Sequence, residues 1–186
     1  MRTPAWRCSY NPDNRQAVDY GARSAALRAI RSLSDNMGAA ACARRLLDSM
    51  PDGQIKLYLS WKTLTFRREH DPLFRDGDYL PLRVNGNRSE QVCAFARRQG
   101  SETLLVLLPR LLAGLMEERS ALPVGQPVWG DNWLELPAGY AAAHWTNVLT
   151  GETVSAQTPD ERQGLALAQI FESFPYALLW SNRDSK

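Results

Sequence analysis

The first third of the chain carries its apolar side chains at helical spacing. One stripe recurs every three or four positions before Ser34-Asp35-Asn36, a turn that we expect to end this helix and to cap the next. A second stripe covers residues 39–50 and stops at Pro51-Asp52-Gly53. The pattern therefore predicts two amphipathic helices. The first stripe consists of Val18, Ala22, Ala26, Ile30 and Leu33.

Residues 55–70 fit two different hydrophobic patterns. Ile55 and Leu57 begin an alternation that is typical of a strand, whereas Tyr58 and Trp61 begin a helical spacing. The length of the segment favours a helix, and Asp52 is placed to act as its N-cap. We therefore predict a third helix.

From Leu73 onward the pattern changes to short runs rich in Tyr, Leu, Val and Phe, separated by turns such as Asn85-Gly86-Asn87. Strands this closely spaced predict a small antiparallel β-sandwich, with the boundary between the helical and β parts near Asp71. Residues 111–118 are predicted as a brief helix, and residues 166–171 as helix or strand. The predicted strands are residues 78–84, 91–97, 103–109, 127–129, 133–136, 143–147, 152–156 and 177–180.

Composition narrows the possible functions. The 186 residues include 22 basic and 20 acidic side chains, and a net charge of +2 does not indicate a nucleic-acid or membrane-surface partner. Cys8, Cys42 and Cys93 match neither a disulfide framework nor a zinc motif and fit a reducing compartment. The longest apolar run, residues 104–108, is too short to cross a bilayer. We therefore expect a soluble cytoplasmic protein without a metal site.

A polar turn near the N-terminus is the first candidate for chemistry. Asp13, Asn14 and Arg15 bring together a carboxylate, an amide and a guanidinium, which are groups that can bridge and orient the hydroxyls of a sugar. The alternative is a plain turn, because Asn-Pro-Asp-Asn is a turn signal in any protein. No phosphate loop, serine-hydrolase elbow or metal motif accompanies it.

Two stretches of the chain, the first of which contains this turn, resemble one known family in the same order along the sequence. Residues 11–20 resemble the Asp-Pro-Asp-Asn-Arg-Arg-Pro-Val-Asp-Tyr stretch of maltooligosyl trehalose synthases, with departures at Asn11, Gln16 and Ala17. Residues 52–58 are similar to the Asp-Gly-Arg-Ile-Lys-Leu-Tyr stretch of the same family. Shorter matches continue along the chain, at residues 74–79, 92–97, 109–111, 129–131, 149–152 and 174–175.

The resemblance implies a glucan site and a reaction. This family belongs to the alpha-amylase superfamily and converts the reducing-end α-1,4 linkage of a maltooligosaccharide into the α,α-1,1 linkage of trehalose, an intramolecular transglycosylation. For Lys56, a structural ion pair on a helix surface is the alternative to a substrate contact. The implied substrate-binding residues are Asp13, Asn14, Arg15, Asp19, Tyr20 and Lys56.

The resemblance also implies a position within the enzyme. Retaining glycoside chemistry needs two carboxylates about 5 Å apart, and in this family they precede the matched stretches. We therefore expect an α+β chain: barrel-closing helices from the end of a (β/α)₈ barrel in residues 1–71, then a small antiparallel β-sandwich domain in residues 72–186. Such a C-terminal portion would hold no catalytic residue, need no cofactor and bind maltooligosaccharide. It would be either a fragment of the enzyme or a subunit whose partner, a separate chain, carries the rest of the barrel.

Two other functions fit the sequence. One is a non-catalytic carbohydrate-binding or assembly module, in which four aromatic residues would form a stacking platform for sugar rings. We favour core packing for these aromatics. The other is an unrelated helical-plus-β interaction protein. In every case, the helix faces that a barrel would cover must pack on the sandwich or on a partner, or stay exposed. The aromatic residues are Trp129, Trp133, Tyr140 and Trp145.

Overall fold

The computed structural model describes residues 19–115, 122–140, 142, 144–156 and 163–183. Helices come first and antiparallel strands follow, which confirms the mixed α and β class. None of the described helices is both long and apolar enough to cross a membrane. The α-helices are α1 (Tyr20–Met37), α2 (Ala39–Asp48), α3 (Gln54–Glu69), α4 (Asp71–Arg75), α5 (Gln126–Trp129) and α6 (Leu167–Ile170), and 3₁₀ turns lie at Met50–Asp52, Ser89–Gln91 and Leu112–Gly114.

Nine strands in the described residues form two antiparallel sheets. The larger sheet has the order β1-β3-β4-β9-β6-β7, and the smaller has the order β2-β5-β8. The strands are β1 (Asp78–Pro81), β2 (Val84–Asn85), β3 (Val92–Gln99), β4 (Glu102–Pro109), β5 (Trp133–Glu135), β6 (His144–Asn147), β7 (Thr153–Ser155), β8 (Gly164–Ala166) and β9 (Ala177–Asn182).

Glycine sets the end of the first helix. α1 continues through Ser34 to Met37, so the prediction that it ends at the Ser-Asp-Asn turn is wrong. The chain leaves the helix at Gly38, whose φ of 83° lies in the region that favours glycine. α2 starts immediately afterwards and buries one face, made of Cys42, Ala43, Leu46 and Leu47.

The segment with two patterns is helical, which confirms the helix prediction. The N-cap of α3 is Gly53, so the prediction that Asp52 occupies this position is wrong. Asp52 lies one residue earlier, and its carboxylate accepts a hydrogen bond from the backbone N–H of Gln54 at 2.8 Å. This satisfies one of the amides that a helix start leaves without a partner. The helical period then buries Ile55, Tyr58 and Phe66, whereas Leu64 stays 63% exposed.

Two strand predictions are wrong. Residues 78–84 do not form one strand, because the chain changes sheets midway and β1 and β2 join different sheets. Residues 127–129 belong to helix α5, where Pro127 in the first turn supplies a helical φ and lacks an N–H that would have no partner there. Residues 166–171, left open between helix and strand, contain α6.

One hydrophobic core is shared by the two sheets, an arrangement like that of a β-sandwich. The side chains that enter it alternate along the strands of the larger sheet with side chains on the opposite, outer face. Its fully buried members include Leu134 of β5, Leu165 of β8, Leu105 of β4 and Leu179 of β9.

Three of the four candidate stacking aromatics pack in or against this core. Trp129 and Trp145 have no exposed surface. Tyr140 is partly buried against the core. Trp133 lies on the other side of β5 from the core residue Leu134, half-buried and so close to Gly164 that a Cβ there would be 2.3 Å from its ring. Core packing is therefore confirmed for Trp129, Tyr140 and Trp145, and Trp133 packs on the smaller sheet outside the core.

The helices pack against the β part through Tyr58. Its fully buried ring lies in a cluster that joins α1, α2 and α3 to Leu149 and Phe174. Its hydroxyl donates to the carbonyl oxygen of Leu149, 2.5 Å away in the turn between β6 and β7. The apolar faces of these helices therefore pack on the sheet part of the chain.

A second contact joins the end of α3 to the outer face of the larger sheet. Phe66 packs near Trp180 of β9, and His70 stacks on Phe66 with ring centroids 4.1 Å apart. The Nδ1 atom of His70 lies 2.8 Å from a carboxylate oxygen of Glu102 in β4. The division of the chain at residues 71 and 72 stays a prediction, since α4 extends the helical part to Arg75.

Arg97 of β3 binds the end of α4. Its guanidinium donates to the carbonyl oxygens of Leu73 at 3.0 Å, Phe74 at 2.7 Å and Gly77 at 3.0 Å. These include carbonyls that a helix end leaves without partners. Gly77 permits the close approach, because a Cβ there would lie 2.3 Å from the Leu73 oxygen.

Tyr58→Phe should destabilise the whole fold. The change removes the donor and leaves the buried Leu149 carbonyl without it, which costs about 1–3 kcal/mol. Urea unfolding measures the loss. Tyr20→Phe is the matched control, because Tyr20 is 73% exposed and should show no change. Equal stability of Tyr58→Phe and the unmodified chain would contradict the importance of this bond.

The same residue predicts a dependence on alkaline pH. Burial raises the pKa of the Tyr58 phenol, with a smaller contribution from Cys42. Because the folded state holds the neutral phenol, its stabilisation is complete below about pH 10, the pKa of an exposed tyrosine, and is lost as the pH rises further. The free energy of unfolding should therefore fall more steeply above pH 10 in the unmodified chain than in Tyr58→Phe. Parallel curves would contradict this.

Candidate functional site

An open groove of about 480 Å³ lies between the start of α1 and the start of α3. This volume is in the range of small-molecule sites. Ala22, Ala26 and Leu57 give the groove an apolar wall. Its polar residues are Arg23, Asp52, Gln54, Lys56 and Ser60.

Lys56 is the predicted site residue that lines this groove. It lies in the first turn of α3 with an exposed side chain, and the helical period brings Ser60 onto the same face. Lys56 also has an interaction partner within the chain. Both roles considered for it, a substrate contact and a structural ion pair, are compatible with this position and stay predictions.

The turn before α3 orients an amide at the rim of the groove. The two oxygens of Asp52 accept hydrogen bonds from the Gln54 backbone N–H at 2.8 Å and from its side-chain Nε2 at 3.0 Å. The carboxylate thus satisfies one backbone amide at the helix start and holds the Gln54 side chain in one orientation. The Gln54 side-chain carbonyl is an acceptor that a ligand hydroxyl can use.

Asp19 and Tyr20 lie at the start of α1, less than one turn from the groove residue Ala22. Asp19 is the N-cap, and its Oδ1 accepts a hydrogen bond from the N–H of Ala22 at 2.8 Å. This local role is sufficient to explain an aspartate here. Tyr20 is largely exposed.

The polar turn formed by Asp13, Asn14 and Arg15 lies outside the described residues, and its role as a sugar-binding loop stays a prediction. The structure therefore brings Lys56 and the start of α1 to one groove.

Three polar groove residues escaped the sequence analysis. Arg23 belongs to no motif. Gln54 occupies the position of an arginine in the resembling stretch, so the resemblance does not single it out. Ser60 lies four residues after Lys56, so helical spacing from Lys56 was the available signal.

The groove presents both hydrogen-bond donors and acceptors to a ligand. It combines two cationic donors, an amide, a hydroxyl and a carboxylate beside small apolar side chains. In the part of the chain that the structure describes, no group of three His, Cys, Asp or Glu side chains is placed to hold a metal ion. The arrangement can therefore bind and orient a ligand through hydrogen bonds.

Two curated proteins from strains of Mycobacterium tuberculosis, both provisionally named maltooligosyl trehalose synthase, are each 30% identical to this chain over 169 residues. The matched region covers 91% of this chain and 16% of each relative, so the chain spans about a sixth of their length. No protein-family model matches the chain. The chain is thus a distant relative of one part of these proteins.

Among solved structures, a noncanonic maltogenic alpha-amylase of Thermotoga neapolitana is similar over 65% of this chain and 24% of its own, with 15% sequence identity and a TM-score of 0.44. A TM-score this low does not define the fold. The sequence relationship above is therefore the more informative of the two findings.

Substitution of Asp19 tests its role as the N-cap of α1. Asp19→Ala removes the cap of α1 and should lower the free energy of unfolding by about 1 kcal/mol, whereas Asp19→Ser retains a capping oxygen and should lower it by much less. Urea unfolding of both variants provides the measurement. If the two variants were equally destabilised, the capping role would be wrong.

Proposed function

We propose that this chain provides the C-terminal part of the glucan-binding surface of a maltooligosyl trehalose synthase-type enzyme. In that reaction a maltooligosaccharide undergoes intramolecular transglycosylation to maltooligosyl trehalose. The chain would work with an alpha-amylase-type (β/α)₈ barrel, whose remaining strands carry the catalytic carboxylates. Helices α1 to α3 would close that barrel, and the two sheets would form its appended domain.

The observation that carries the proposal is the position of Lys56. The two stretches with the strongest family resemblance are far apart in sequence, at residues 11–20 and 52–58. In the fold, the helix that follows the first stretch and the helix that begins in the second form the two sides of one groove. The sequence similarity over 91% of the chain supports a carbohydrate-active role at the level of the family.

The polar turn is within reach of the same groove. Arg15 precedes Asp19 by four residues, and four residues of extended chain span at most about 14 Å. The turn is therefore a candidate for contact with the same sugar as Lys56. Lysine and arginine donate to sugar hydroxyls, and the aspartate and asparagine accept from them.

The proposal gives the chain a binding role and leaves the chemistry to the barrel. Bond rearrangement with retention needs a nucleophilic carboxylate and a second carboxyl group about 5 Å away that protonates the leaving oxygen. By the family resemblance, Asp13 and Asp19 match binding positions and none of the catalytic ones. The contribution of this chain is therefore orientation of the glucan.

Maltopentaose should bind the isolated chain weakly, and Lys56→Met should weaken this binding about fivefold, which corresponds to roughly 1 kcal/mol for one exposed hydrogen bond. Chemical-shift titration by NMR measures the Kd. Lys62→Met is the matched control, since Lys62 lies on the same helix but next to the Trp61 ring and outside the groove. Identical Kd values for both variants would show that Lys56 does not contribute to maltopentaose binding.

An activity assay tests whether this chain supplies glucan binding and the barrel supplies catalysis. The purified chain alone should convert no maltopentaose into a non-reducing product, and addition of an alpha-amylase-type barrel that lacks its C-terminal part should restore conversion. Product formation by the chain alone would contradict the assignment of catalysis to the barrel. Glucan binding without any restored conversion would instead favour a non-catalytic carbohydrate-binding module.

A further inference from the structure

Helices cover the outer face of the larger sheet only over its central strands. Leu104 of β4 and Trp180 of β9 pack against α3 and α4, and Arg97 of β3 binds the end of α4. Strand pairing puts Tyr79 of β1 on the same side as Arg97. From Tyr79 and Arg97 toward the start of β3, no described helix covers the outer face of the larger sheet.

The uncovered end of this face is apolar, and we name it the β1–β3 face. Cross-strand pairs place its members on the same side of the sheet as the residues under α4. Tyr79 is 59% exposed and Leu108 is 38% exposed, and the Tyr79 ring lies 5.1 Å from that of Phe95. The β1–β3 face consists of Tyr79, Pro81, Cys93, Phe95 and Leu108.

At the opposite edge of the larger sheet, formed by β6 and β7, the outer face is exposed to solvent. Thr146 of β6 is on the same side as Trp180, because the two residues are paired. Its neighbours there are polar, and all are exposed. An apolar surface at one end and a polar surface at the other indicates that the apolar end is covered in the working protein. The exposed polar residues are His144, Thr146, Thr153 and Ser155.

Cations border the β1–β3 face at one end. Arg83 follows Pro81 by two positions and Arg110 follows Leu108 by two positions, and both are exposed. The backbone N–H of Arg110 donates to the carbonyl of Gln91 at 2.7 Å, which continues the pairing of β3 and β4 beyond Leu108. Asp78 is the exposed acidic residue nearest to Arg83 in sequence, and strand alternation places it on the opposite side of β1 from Tyr79. A partner that carries acidic side chains at this end would be attracted to the two arginines.

We propose that the β1–β3 face binds an amphipathic helix of a partner polypeptide, with its apolar stripe on Tyr79, Phe95 and Leu108 and acidic side chains beside Arg83 and Arg110. A helix is the occupant that continues the layer already formed by α3 and α4 on this face. The acidic flank follows from the two arginines. This inference does not depend on the glucan proposal.

The test uses the intact chain and two labelled synthetic helices of about five turns. Both have leucine at every third or fourth position, and one has glutamates where the other has lysines. Fluorescence anisotropy should give a Kd at least about tenfold lower for the glutamate helix. Tyr79→Lys should abolish this binding. Leu64→Lys should leave it unchanged, because Leu64 is an equally exposed apolar residue on α3, away from the sheet.

Charge reversal provides the second arm. Arg83→Glu combined with Arg110→Glu should transfer the preference to the lysine helix. The inference is overturned if neither helix binds, if both bind equally, or if Leu64→Lys is as damaging as Tyr79→Lys. It is also overturned if sedimentation shows self-association that Tyr79→Lys abolishes, because the occupant is then a second copy. Loss of maltopentaose binding in Tyr79→Lys would likewise identify a sugar as the occupant.

Discussion

The buried hydroxyl of Tyr58 determines how the two kinds of secondary structure meet. A phenol that is fully removed from water needs a partner, and the carbonyl of Leu149 supplies it from a position far along the chain. The bond fixes the rotation of α3 about its own axis. With that rotation fixed, Ile55 and Phe66 face inward, and Lys56 and Ser60 face the groove.

The larger sheet has two different neighbours, and this explains much of its composition. Its inner face packs on the smaller sheet, so the inward residues of β4 and β9 are aliphatic. Its outer face meets helices in the middle and solvent at the β6–β7 end. The strands in the centre are therefore apolar on both sides, as Leu104 and Leu105 show, which is the composition expected of a strand buried on both faces.

Local patterns predicted the helices well and the connections between sheets poorly. The stripe of α2 and the period of α3 are visible in sequence because a buried helix face repeats every three or four residues. The change of sheet between β1 and β2 has no such signal. Both strands lie in one extended run of sequence, and only tertiary pairing assigns them to different sheets. Short helices such as α5 are equally hard to predict, because four residues contain barely one period.

Sequence reasoning likewise identified one residue of the candidate site and missed others. Lys56 was identified through a motif, and the structure places it in a groove. Arg23 could not be identified, because it enters the groove only through the packing of α1 on α3. Asp19 had been assigned to substrate through the family resemblance, and its hydrogen bond to Ala22 shows that capping is a role it certainly performs.

The hydrogen bonds from Arg97 to the end of α4 have a consequence for the order in which parts of the protein fold. The three carbonyl oxygens that Arg97 binds precede it by 20 to 24 residues, with β1 and β2 between them. α1, α2 and α3 can begin to form from local contacts. The carbonyls of Leu73 and Phe74 at the end of α4 lack the Arg97 donor until β3 has arrived, so α4 is expected to form with the sheet. During synthesis, the junction of the helical and β parts would thus be among the late features to become ordered.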